Sequence, residues 1–109
     1  MRLPGAKHVR IDERKVRDYL LSKTHPVGRF KARVFASIGF DANALAAFAK
    51  ELRRIAAEGD VTEVEDIGFG RKYTVPGELR GPAGTVRVFT VWILEAGQQD
   101  VRLVTVRPE

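Results

Sequence analysis

The residues best suited to chemistry cluster in KTHPVGRFKARVFASIGF, Lys23 to Phe40. His25 offers a side chain that exchanges a proton near neutral pH, although a histidine ahead of proline is also an ordinary turn residue. On a helical wheel begun at Val27, Phe30, Val34 and Ile38 fall together and Arg29 and Arg33 point the opposite way. Lys31 lands inside the apolar arc, beside Val27, Val34, Phe35 and Ile38. A lysine so placed either lays its stem along the core edge and reaches water, or aims its ammonium into a polar cleft suited to an anion. Arg29 and Arg33 suit the positioning of phosphate.

A second group sits in TVRVFTVWILE, where Arg87, Phe89, Val91 and Ile93 share one strand face and Val88, Thr90 and Trp92 share the other. If Phe89, Val91 and Ile93 face the helices, Thr90 and Trp92 stand on the open sheet face. There a hydroxyl beside an indole can bond phosphate and stack on a base. With the parity reversed, Trp92 is core. Tyr73 and Thr105 on neighbouring strands pose the same choice: Tyr73 stacks or donates its hydroxyl, or both residues are there because strands favour them.

Other chemistries lack their residues. There is no Cys, hence no disulfide framework, thiol nucleophile or thiolate metal site, and His8 and His25 are the only histidines. No Asp, Glu and His set has metal-ligand spacing, so the expectation is catalysis without a metal or cofactor. GFGRKY is too short for a phosphate loop, GPAG closes a turn with no helix after it, and there is no Gly-x-Ser-x-Gly elbow. No run of about eighteen apolar residues spans a bilayer, and MRLPGAKHVRIDERK lacks the apolar middle of a signal peptide. A cytoplasmic protein with no membrane partner is expected.

Charge is uneven along the chain. Met1 to Ser37 holds ten Lys or Arg against three acids, net +7, and Ile38 to Glu109 holds nine against eleven, net −2. Such a basic third attracts phosphate or an acidic protein, or simply keeps the surface soluble.

The elements that must position these residues follow from periodicity. With 109 residues and 44% hydrophobic content, one domain spanning 1–109 is expected. Asp12 caps a short helix from Glu13 to Ser22, with Val16, Tyr19 and Leu20 on one face. A second helix runs from Pro26 to Ile38 and stops at Gly39. Asp41 caps a third, in which Leu45, Phe48, Ala49, Leu52, Ile55 and Ala56 form a stripe ending at Gly59. From Asp60 the period becomes alternating, which predicts strands over Val61–Ile67, Arg71–Leu79, Thr85–Glu95 and Val101–Arg107. Pro76 and Gly77 predict an edge position or a bulge in the second strand. The fold class is α+β, three N-terminal helices packed on a four-stranded antiparallel meander.

The order YLL, HP-x-G-x-x-KA, Y-x-V, TVW and LVT resembles that of a small uncharacterised bacterial domain family, over about Asp12 to Pro108. More distantly, helices followed by a four-stranded sheet are similar to the nuclease toxins of the barnase, EndoU, colicin and RelE-like fold. That resemblance implies a toxin-type endoribonuclease acting without metal and paired with a small antitoxin protein. It points to His25 and Lys31 in HPVGRFKA, Thr90 in TVW and Thr105 in LVT. The ending TVRPE departs from the pattern and puts any role of Val106 or Arg107 in doubt.

The expected reaction is RNA cleavage by attack of the ribose 2′-hydroxyl on the adjacent phosphodiester. His25 would act as general acid or base, Lys31 would stabilise the charge on phosphorus, and Thr90 and Thr105 would bond phosphate oxygens or orient water. Arg29 and Arg33 would anchor phosphate, and Tyr73 or Trp92 would stack a base. Two alternatives stand beside it: a binding module for RNA or an acidic protein, without turnover, and a phage-related structural domain.

Overall fold

The structure is a computed structural model that describes residues 1–20 and 29–109. Helix α1 (Glu13–Lys15) opens where Asp12 accepts the Lys15 amide at 3.2 Å, and it widens into a π turn over Val16–Leu20. The rest of the first predicted helix, Leu21 and Ser22, lies outside the described residues. Helix α2 covers Arg29–Ser37, so its predicted start at Pro26 also lies outside them. A short 3₁₀ turn capped by Asp41 leads into α3 (Leu45–Glu58), where Phe48, Ala49, Leu52, Ile55 and Ala56 are buried along the predicted stripe.

The end of α2 is built by its glycine. Gly39, at φ +99°, donates to Ala36 O and Phe40 donates to Phe35 O, so the last carbonyls of the helix are satisfied as the chain reverses. Phe35 and Phe40 then pack on Phe48 of α3, with ring centroids 5.1 and 5.3 Å away. The buried side of α2 is therefore Ala32 and Phe35, continued by Ile38 just past its end. Phe30, expected in the apolar cluster, is 62% exposed, because the aromatic contact with α3 turns the helix toward Ala32.

Strands β1 (Glu63–Asp66), β2 (Gly70–Gly81), β3 (Gly84–Glu95) and β4 (Arg102–Pro108) form an antiparallel meander in the order β1-β2-β3-β4. The expected α+β layout is thus observed, with helices on one sheet face. The edge position expected at Pro76 and Gly77 is found there, without a bulge. β2 pairs with β3 in continuous register from Gly70 to Gly81, whereas β1 covers it only from Arg71 to Thr74. Pro76 is accommodated where that second neighbour has ended.

Gly77 fixes which face meets the helices. A Cβ there would stand 2.8 Å from Ile55 Cγ2, so α3 crosses β2 at the residue without a side chain. Tyr73, Val75 and Leu79 share that face, and pairing of Tyr73 with Trp92, Val75 with Thr90 and Gly77 with Val88 carries it onto β3. The parity that would open Thr90 and Trp92 to solvent is therefore reversed. Both are fully buried, and Tyr73 is 3% exposed. The Trp92 indole donates to Thr90 Oγ1 at 2.8 Å and Thr90 donates to Val75 O at 2.6 Å, so the polar atoms of this core node are satisfied.

The register of β4 contains one irregularity. Leu103 pairs with Trp92 but Thr105 pairs with Val91, leaving Val104 as the extra residue of a bulge. Beyond it Thr105 and Arg107 lie with Val91 and Phe89, on the sheet face away from the helices, while Val106 is fully buried beside Thr90. Alongside the start of β4, the N-terminal segment adds a parallel bridge: Arg10 N donates to Val101 O and Leu103 N donates to Arg10 O.

A carboxylate ties α3 to β2. Glu51 accepts both the Arg54 guanidinium at 3.0 Å and the Arg80 amide at 2.8 Å, and Arg54 also donates to Glu78 O at 2.6 Å. The Arg54 hydrogen bonds hold the Glu51 carboxyl below its usual pKa.

Candidate functional site

Helix α2 meets the sheet at its edge strand, and Lys31 is the residue that reaches across. Its ammonium donates to Thr105 Oγ1 at 2.8 Å, joining residues 74 apart in sequence. Lys31 stands at the border of the buried side of α2, on the turn before Phe35, so the helix rotation that exposes Phe30 carries Lys31 toward β4. The bulge at Val104 supplies the other partner, since regular alternation from Leu103 would turn Thr105 inward.

The site is electropositive. Burial of the ammonium pushes the Lys31 pKa below the usual lysine range, and the neighbouring Arg107 pushes it the same way. Arg107 is itself held over Phe89, with Cζ 4.9 Å from the ring centroid. Two cations from separate elements thus lie within electrostatic reach of each other at the rim of β4, one of them bonded to the Thr105 hydroxyl. An anion arriving between them would relieve their repulsion and favour the charged lysine. Arg33 extends the basic character along α2, with Cζ 5.9 Å from the exposed ring of Phe30.

The expected site residues separate into three groups. Lys31 and Thr105 come together. Thr90 and Trp92 lie fully buried in the core, their polar atoms bonded within it, while Tyr73, 3% exposed, also lines a shallow hollow beside Gly70, Arg71 and Glu95. His25 lies outside the described residues, and Arg29 opens α2. Arg107 and Phe89 complete the group around Lys31; the sequence put any role of Arg107 in doubt and read Phe89 only as a packing residue. The available signal for Arg107 was its place two residues beyond Thr105 on one strand, which puts both on one face.

Among the described residues, no group of three or more His, Cys, Asp or Glu is placed to hold a metal, and no helix is long and apolar enough to cross a membrane.

This arrangement of helices and meander has a close counterpart among solved structures. It superposes on a chain of a contact-dependent growth inhibition toxin–immunity protein complex from Klebsiella pneumoniae 342 with a TM-score of 0.72, covering 91% of this chain and 98% of that one. At 16% identity the likeness is one of fold. None of the curated proteins matches the sequence. The chain belongs to the family described as Domain of unknown function (DUF6883), whose model matches residues 2–109 and so spans the motifs from Tyr19 to Thr105 quoted above.

Proposed function

We propose that this protein is a toxin-type endoribonuclease that cleaves RNA without a metal and is neutralised by a small immunity or antitoxin protein. The observation that carries the reading is the contact of Lys31 with Thr105 at the edge strand, with the Arg107 charge close enough to act on the Lys31 ammonium. The fold shared with a chain of a toxin–immunity complex supports it, as does the basic N-terminal third. The net charge of +5 favours the toxin side of such a pair, since a protein that covers a nucleic-acid site takes the opposite sign.

In the reaction, a base removes the proton of the ribose 2′-hydroxyl and that oxygen attacks the adjacent phosphorus. The bond to the 5′-oxygen breaks as an acid supplies its proton, leaving a 2′,3′-cyclic phosphate and a 5′-hydroxyl. His25 fills the acid or base role. Lys31 and Arg107 stabilise the charge gathered on the phosphoryl oxygens, and Thr105 fixes the ammonium. Arg29 and Arg33 anchor flanking phosphates from α2.

The test is incubation of purified protein with total bacterial RNA in EDTA, which silences contaminating metal nucleases. His25→Ala and Lys31→Ala variants, checked by circular dichroism, run alongside. Discrete fragments from wild type and none from either folded variant are expected. RNA left intact by wild type across several RNA classes overturns catalysis and leaves a binding module, for which the clustered N-terminal charge would be sufficient.

A further inference from the structure

A second basic feature lies at the opposite end of β4. The N-terminal segment, α1, α3 and the start of β4 enclose a cleft of about 570 Å³ whose lining includes Arg10, Lys15, Arg53 and Arg102, with Asp12 the acid among them. Four separate elements each deliver a cation to one concavity. Two of the four are fixed: Arg53 donates to Val9 O at 2.7 Å and Arg102 pairs with Glu95 at 2.6 Å. Asp12 is engaged as the cap of α1, accepting the Lys15 amide. Arg10 and Lys15 are exposed, and the backbone of Arg10 is anchored on both sides by Val101 and Leu103. Preset guanidinium groups around a hollow are the arrangement that recognises phosphate oxygens.

The cleft and the Lys31 site are linked by one strand. Arg102 belongs to the cleft and Thr105 to the site; across the bulge they pair with Ile93 and Val91, a separation of about 7 Å at the usual strand rise. A few nucleotides of extended RNA cover such a span. We propose that this cleft is a second phosphate-binding site, holding backbone phosphates of the same RNA strand whose scissile phosphate lies at Lys31 and Thr105. It rests on the proposed RNA substrate, but it concerns binding and requires no turnover. Contacts of this kind position a strand without reading its bases.

The probe is a 2′-O-methylated single-stranded oligonucleotide, which lacks the attacking hydroxyl. Its affinity for wild type and for an Arg10→Gln/Lys15→Gln double variant is measured across a salt series. Both positions are exposed, and circular dichroism checks the fold. Loss of two phosphate contacts should make the slope of log K against log salt shallower by about 1.4. Affinity should fall severalfold or more at low salt. An unchanged slope in the folded double variant overturns the proposal even if RNA is cut as expected. Should wild type cut no RNA yet lose slope in the variant, the cleft stands and the catalytic reading falls. Inorganic phosphate displacing the oligonucleotide at micromolar concentration, in wild type and not in the variant, overturns an RNA site in favour of a small-anion pocket.

Discussion

Two threonines on adjacent strands have the same side chain and opposite circumstances. Thr90 is sealed in the core, accepting from the Trp92 indole and donating to Val75 O. Thr105 stands at the strand rim and accepts the Lys31 ammonium. In the first, each polar atom has a fixed uncharged partner and water is excluded, so the hydroxyl contributes to one unique packing. In the second, the partner is a cation kept partly desolvated next to another cation, an arrangement that does little for stability and is suited to an incoming anion. A hydroxyl's role thus follows from what reaches it across the fold.

The contrast breaks most readily at Lys31. Lys31→Ala should lower cleavage on the order of a hundredfold or more while the circular dichroism spectrum is retained; full activity in the folded variant refutes its assignment. Thr90→Val should cost about 1–3 kcal/mol, because the Trp92 indole loses its acceptor. The measurement is the urea midpoint followed by the fluorescence of Trp92, the one tryptophan, and a midpoint equal to wild type removes the core node from the account. Thr105→Val should do the reverse, lowering cleavage roughly tenfold with stability changed by less than about 0.5 kcal/mol. A large loss of stability there makes the two threonines alike.

The smallest effect is in pH. A lysine whose folded pKa lies below the ordinary 10.5 carries a folding penalty that is fully present below the folded value and is relieved as pH rises from that value toward 10.5. Wild type should therefore gain stability relative to Lys31→Met across that alkaline window. Denaturant midpoints of the two proteins that stay parallel with pH contradict a desolvated lysine. Glu51 has the opposite sign: its contribution is present above the ordinary carboxyl value and is lost as acid takes the pH down through its lowered folded pKa.

Much of this fold is legible in the residues. The stripe of α3, the stop at Gly39 and the four alternating segments all emerge with their positions because local periodicity and glycine geometry decide them. Lys31 stands out for the same reason, as a charge where the helix pattern asks for an apolar side chain. The parity of β3 does not emerge, since Val88, Thr90 and Trp92 on one face and Phe89, Val91 and Ile93 on the other are about equally apolar, and Val91 and Ile93 are themselves buried. Gly77 held the answer, but only together with the knowledge that α3 crosses β2 there. The approach of Arg107 to Lys31 was hidden too, because it depends on the bulge in β4, which pairing with β3 creates.

That bulge separates chain length from orientation in β4. Removing Val104 would turn the irregular stretch into a regular ladder and leave Thr105, Val106 and Arg107 on the faces they now occupy. Loss of Thr105 would instead put Val104 in its place and remove the hydroxyl, and loss of Val106 would turn Thr105 inward opposite Thr90. Members of the family that differ in length within this strand should therefore differ at the position of Val104, where evolution can add or delete a residue without moving the hydroxyl that Lys31 reaches.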